Sequence, residues 1–217
     1  NSGTLHNNVD GVGNANFDNF TNISGGSGDD TFDFNGGTVT GIVDGLAGID
    51  TLDYATLAGP INITLTTTGA VDGFDGAAPN TGGFQNIDIA VGTANSVDQL
   101  TGTNITGGVF RLDSNNSFYI NVNEFNFSEI ENIVGGTGDD TFNIVANHAG
   151  NLSDLDGSDI INFNDGQLTG DIALDVGDNV YDFNGGTHSG NVSVVGSDTW
   201  NHQNDVQLAQ GGEISGS

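Results

Sequence analysis

Cysteine, methionine and lysine are absent from this chain, and Arg111 is its only arginine. Without cysteine no disulfide framework can form. One cation stands against 29 acidic residues, so the formal net charge is −28. Such a surface cannot neutralise phosphates, which excludes nucleic-acid binding, and an anionic membrane would repel it. No apolar run approaches the roughly 18 residues of a bilayer span, so membrane insertion is not expected. Proline is scarce, with two residues. Helix formers are scarce too: four of the acids are Glu, whereas glycine numbers 36. This balance argues against a helical protein. High charge with much glycine can signal disorder. The 13 Phe and a regular placement of Val, Ile and Leu argue instead for a folded core. The chain begins at Asn1 without a signal peptide, as expected of an excised or mature piece.

The acid excess requires counter-charge that the protein does not supply. Asp carboxylates and backbone carbonyls favour hard cations, so salt or bound Ca2+ is the expected source.

Repeats organise what is present. Asn132–Gly150 reads NIVGGTGDDTFNIVANHAG, and comparable units begin at Asn151, Asp171 and Asn191. Each carries an apolar second residue (Ile133, Leu152, Ile172, Val192), a Gly/Asp turn and an alternating pair. The pairs are Phe142 with Ile144, Ile161 with Phe163, and Tyr181 with Phe183, with Trp200 in the last unit. Asn22–Gly41 and Ile42–Pro60 repeat the pattern, the latter with Leu52 and Tyr54. Alternation predicts short strands with one face buried. A unit of about 20 residues cannot bury that face alone, but stacked units can. The expected fold is therefore all-β: a right-handed parallel β-helix, or β-solenoid, with rungs of about 20 residues. A longer period is superimposed. Gly25 matches Gly135, an offset of 110 residues, and the flanking apolar positions match with it.

One continuous segment, 1–217, is expected. It divides into partial first rungs at 1–21, regular rungs at 22–65, irregular rungs at 66–130 and regular rungs again at 131–217. Within the irregular part, 69–83 (GAVDGFDGAAPNTGG) reads as a protruding loop. Ile87, Ile89 and Val91 read as one alternating strand, and Phe110–Val122 as a strand pair.

GGSGDDTFD (Gly25–Asp33) and GGTGDDTFN (Gly135–Asn143) fit the nonapeptide G-G-x-G-x-D-x-U-x, and GLAGIDTLD (Gly45–Asp53) fits with Leu46 in place of the second Gly. These segments resemble the haemolysin-type (RTX) calcium-binding repeats. The resemblance implies that Asp30, Asp50 and Asp140 reach a Ca2+ ion beside inward-turned carbonyls. Here the nonapeptides are not consecutive. Stacked rungs nevertheless bring equivalent turns to one edge, where Asp29 and Asp139 adjoin, and where Asp159, Asp178 and Asp198 are expected to continue the column. The candidate metal residues are thus Asp29, Asp30, Asp50, Asp139, Asp140, Asp159, Asp178 and Asp198. A second reading stays open: these carboxylates cap turn amides as Asx-turns, which alternating Asp and Asn at one position would favour.

The FxNIxGGxGDDTF blocks, VDGLAGIDTLDYATLAGPINITL (Val43–Leu65) and the repeated unit together resemble the repeat regions of giant bacterial extracellular proteins. These are filamentous-haemagglutinin-like or RTX-like adhesins and surface fibre proteins. That resemblance implies an extracellular or cell-surface structural module, whose partners are neighbouring copies or modules of the same protein. An adhesin tip binding a host or environmental surface or a glycan is the alternative, with loop 69–83 as its contact. A polysaccharide-degrading enzyme is the remaining one. Paired acids that recur with the repeat are architectural, whereas a catalytic site is singular, so no enzyme is expected. His6, His148, His188 and His202 show no metal spacing and read as surface residues. Tyr54, Tyr119, Tyr181 and Trp200 read as core. The several N-x-S/T sequons follow from composition.

Overall fold

A computed structural model describes residues 3–7, 15–94, 97–202 and 214–216. Every element is a strand, no helix occurs among the described residues, and the sheets do not close into a barrel. The chain divides into two compact units. The first is Asn1–Leu100 with Val122–Ile130; the second is Thr101–Asn121 with Glu131–Ser217.

In the second unit the strands recur in the order the apolar pattern requires. Val109–Leu112, Thr141–Ile144, Ile160–Phe163, Val180–Phe183 and Thr199–His202 pair in parallel, each in register with the next. Asn132–Val134, Leu152–Ser153, Ile172–Gly177, Val192–Gly196 and Ile214–Gly216 form a second parallel series. His148–Ala149, Gln167–Thr169 and Thr187–Ser189 form a third. Registered parallel pairing places like side chains over one another. Phe110, Phe142, Ile161 and Tyr181 are therefore all fully buried. Phe110 stacks on Phe142 at 5.1 Å and Phe163 on Phe183 at 4.6 Å. Val109–Leu112 also pairs antiparallel with Ser117–Ile120, the expected strand pair.

In the first unit Asp30–Asp33, Thr51–Asp53, Ile89–Val91 and Asn123–Ser128 pair in parallel, as do Ile23–Gly26, Ile42–Leu46 and Gly83–Ile87. Phe34 stacks on Tyr54 at 4.9 Å.

Several expectations change. Strands Gly3–Asn7 and Ala15–Phe17, expected in partial first rungs, are antiparallel: the former pairs with Asp30–Asp33 and with the latter. The stretch 69–83 is built into the unit rather than protruding as a loop. It contains strand Phe74–Ala77, which runs antiparallel between Asn62–Thr68 and Gly83–Ile87, and Phe74 is fully buried. The Tyr54 hydroxyl donates to the Pro79 carbonyl at 2.9 Å, which ties the rest of the stretch down. Ile87, Ile89 and Val91 do not share a face. A corner at Asp88 separates two strands and shifts the phase, so that Ile87 and Ala90 are the buried residues. Finally, His148 and His188 are interior, not surface, at 7% and 2% exposed. Tyr119 and Trp200 are only half-buried, unlike Tyr54 and Tyr181. His6 and His202 lie where side chains are outside the described residues.

Candidate metal centre

Within each unit the Gly/Asp turns build an inner and an outer column of side chains whose hydrogen bonds run in opposite senses. In the inner column each residue after the first accepts, through a side-chain oxygen, the amide of the equivalent residue one repeat earlier. The Asp30 amide donates to Asp50 Oδ1 at 2.9 Å and the Asp50 amide to Asp88 Oδ2 at 2.9 Å. In the second unit the Asp140 amide donates to Asp159 Oδ1 at 2.7 Å, the Asp159 amide to Asn179 Oδ1 at 2.9 Å, and the Asn179 amide to Asp198 Oδ1 at 3.2 Å. The sequence separations are 19 or 20 residues except for Asp50 to Asp88, at 38, where the antiparallel insertion intervenes. The outer column reverses the sense. Asp29 Oδ1 accepts from the Ile49 amide, Asp139 Oδ1 from that of Ser158, and Ser158 Oγ from that of Asp178.

The first glycine of the nonapeptide makes room for the inner acid. A Cβ on Gly25, Gly45 or Gly135 would collide with the carboxyl of Asp30, Asp50 or Asp140 respectively. The second position sets the backbone. Gly26 and Gly136 have φ of 150° and 142°, and Leu46 takes the left-handed φ of 74° at the same place.

The expected residues therefore separate. Asp30, Asp50, Asp140, Asp159 and Asp198 lie in the inner column, and Asp29 and Asp139 are exposed in the outer one. Asp178 is corrected by one position. It is exposed in the outer column, and its neighbour Asn179 occupies the inner place, because register counted from strand Val180–Phe183 selects the residue just before the strand. Asp72, Asp88 and Asp154 join the expected set. Asp88 is readable as the residue before a strand, as Asp30 is before Thr31. Asp154 is readable as the acid that replaces Gly135, since Ser153 pairs with Val134. Asp72 has no such signal; it enters by the antiparallel insertion and accepts the Gly48 amide at 3.2 Å.

Asp30, Asp50, Asp140 and Asp159 are at most 1% exposed. Several of their oxygens meet no well-aligned donor: both of Asp30, both of Asp140, and one each of Asp50 and Asp159. One oxygen of Asp154 and one of Asp72 share that state. Burial accordingly pushes the carboxyls up. Asp50 rises to about 7, through burial first and then through Asp30, Asp88 and Asp72, against the opposing Asp30 amide. Asp140 also rises to about 7, from burial, Asp154 and Asp139, partly offset by the nearby Gly108 amide. Asp88 rises to about 6 and Asp30 rises as well, both chiefly by burial. Burial and the adjoining Asp154 carboxyl hold Asp159 well above the carboxylate range. Arg111 does not relieve this, because Asp113 engages it at 2.9 Å.

Asp98 shows the alternative. It is fully buried, yet it accepts from the Ile61 amide at 2.9 Å and from the Thr93 hydroxyl, so its oxygens are satisfied within the fold. The orphaned oxygens of the inner column lack that relief and suit a hard cation in donor chemistry. Side chains alone do not complete a cage, because no three His, Cys, Asp or Glu converge at metal-ligand spacing among the described residues. Main-chain carbonyls of the glycine turns would have to supply the remaining ligands. The inner position carries Asp, Asp, Asn and Asp in the second unit, which is the mixture an amide-capping role tolerates.

Comparison with protein-family models, with curated proteins and with solved structures returned no match.

Proposed function

We propose that this chain is a structural module of a secreted bacterial surface filament or giant adhesin, built as a right-handed β-solenoid and stacked end to end with neighbouring modules. The observation that carries this reading is the registered parallel pairing that advances 19 or 20 residues at a time and repeats the same side chains at the same corners. Hydrogen bonds then run along the stacking direction, and each repeat is held by its neighbours. The role is mechanical, not catalytic. The acids that could act as a pair recur at successive corners, whereas a catalytic site is singular.

Calcium is the counter-charge in this reading. Asp30 with Asp50, and Asp140 with Asp159, would hold it, together with carbonyls of the Gly25, Gly45 and Gly135 turns. Bound Ca2+ supplies positive charge to carboxyl oxygens that otherwise remain buried without donors. An extracellular setting, where calcium is plentiful, follows from that requirement and fits a chain without lysine.

End-to-end partners are favoured by the edge strand Thr199–His202. Among the described residues it pairs on one side only, with Val180–Phe183. Its Trp200 stacks on Tyr181 at 4.0 Å and is only half-buried. In the adhesin-tip alternative the contact surface would be the exposed side of stretch 69–83, which is held in the sheet rather than protruding from it.

The test is light scattering and negative-stain imaging of the chain across a concentration series, with calcium and with chelator. Rod-like, concentration-dependent growth that Thr199→Lys prevents is expected. A monodisperse monomer at every concentration, with unchanged melting on adding chelator, would overturn both the stacking and the calcium roles.

A further inference from the structure

The sheet formed by His148–Ala149, Gln167–Thr169 and Thr187–Ser189 belongs to neither aspartate column, and the proposed function does not use its histidines. His148, Leu168 and His188 stand in register across it. Leu168 is fully buried, and the two imidazoles flank it at 7% and 2% exposed. His148 Nε2 lies 2.7 Å from the Glu131 carbonyl oxygen, and His188 Nε2 lies 2.8 Å from that of Gly170. A carbonyl only accepts, so Nε2 carries the hydrogen in both rings. Each ring therefore ties its strand, through a neutral N–H donor, to the main chain 17 or 18 residues earlier.

We propose that His148 and His188 form an acid-labile lock on this three-stranded sheet: the neutral rings hold it closed, and protonation releases it. The in-register leucine shows that the position is built for an uncharged occupant. Charging either ring brings a cation into the space beside Leu168 and, for His188, beside the Phe163 ring at 6.0 Å. Burial is the main influence on both rings and lowers their basicity. The opposing influences are the Glu131 carbonyl on His148, and the Gly170 carbonyl and the Asp171 carboxylate on His188. The charged group among these influences is the Asp171 carboxylate, which acts on His188. The sign follows from the lowered folded value. The stabilisation is present above the ordinary imidazole value of 6.5 and is lost as pH falls through the folded value.

The experiment reads the corner itself. The amides of Gly150 and Gly170 bond to the Thr169 and Ser189 carbonyls, at 2.9 and 3.0 Å, and report on it. The Asn164 amide, bonded to the Ile144 carbonyl at 2.9 Å, serves as the reference in a different sheet. Amide exchange of the full chain is followed by NMR between pH 7.5 and 5, corrected for intrinsic exchange, once in chelator and once in excess calcium. Protection at Gly150 and Gly170 is expected to fall about tenfold relative to Asn164 as the rings are protonated. The double variant His148→Leu/His188→Leu should abolish that fall. His148→Gln, which keeps a donor but does not titrate, is the second variant should the leucines fold poorly, and it should abolish the fall at Gly150. An equal fall in the variants, or imidazole rings that titrate at or above the ordinary value, would overturn the lock.

Discussion

At the scale of single residues, the corner is a contact between a glycine and an aspartate. Gly45 is needed for closeness rather than for an unusual φ: a Cβ there would meet both the Asn86 carbonyl and the Asp50 carboxyl. Gly45→Ala should cost about 3 kcal/mol, the upper end for overpacking a site whose neighbours are backbone and a buried acid. Leu46, next to it, is the opposite case. It holds φ at 74°, a left-handed conformation that strains any residue with a Cβ, and it is 37% exposed, so little packing compensates. Leu46→Gly should therefore raise stability by about 1 kcal/mol. Thermal melting of the two variants against the parent decides both. A neutral Gly45→Ala would mean that Asp50 does not lie where the corner requires it.

At the scale of elements, the columns turn side-chain identity into register. An inner residue is the one at the corner that opens a buried-face strand, as with Asp30 before Thr31, Asp140 before Thr141 and Asn179 before Val180. Asn179 is fully buried, accepts the Asp159 amide, and leaves its own Nδ2 without a partner. Asn179→Asp keeps the acceptor and adds a charge between Asp159 and Asp198. In chelator at pH 8 this should cost about 3 kcal/mol, as an unpaired buried charge does. In calcium most of that loss should return, so the calcium-induced rise in melting temperature should exceed the parent's. An equal loss in both conditions would show that the inner column does not hold calcium. The strand pairs are legible in the sequence because parallel register repeats an apolar pair unchanged: Phe142 with Ile144, Ile161 with Phe163, Tyr181 with Phe183. Asp178 is misplaced by residue type alone, since register and not acidity selects the inner position. Asp72 and strand Phe74–Ala77 are illegible for a different reason. An antiparallel insertion breaks the period, and its Gly-rich turns look like any loop. The buried histidines leave little trace because Leu168, at the same corner, hides their column from a search for metal spacing.

At the scale of the whole molecule, a net charge of −28 opposes folding, and the fold buries part of that charge instead of exposing all of it. Asp30, Asp50, Asp88 and Asp140 all have carboxyls raised above 3.8, with Asp50 and Asp140 near 7. A group raised on folding stabilises fully below its unfolded value and loses that contribution as pH climbs through its folded value. In chelator, the melting temperature should therefore decline from about pH 4 to about pH 7. His148 and His188 act in the reverse sense, since neutral burial favours higher pH, and they should blunt the decline near pH 6.5 without reversing it. Calcium requires the same carboxylates deprotonated, so its stabilisation should be small at about pH 5 and large at about pH 8, and its binding should release protons near neutrality. Melting curves across that range, with and without calcium, separate the possibilities. Convergence of the two curves at low pH and divergence above neutrality would follow if proton and calcium are alternative neutralisers of one buried column. Parallel curves would leave the proton as the only one, and the columns would then be amide caps whose acids are neutral only below about pH 7.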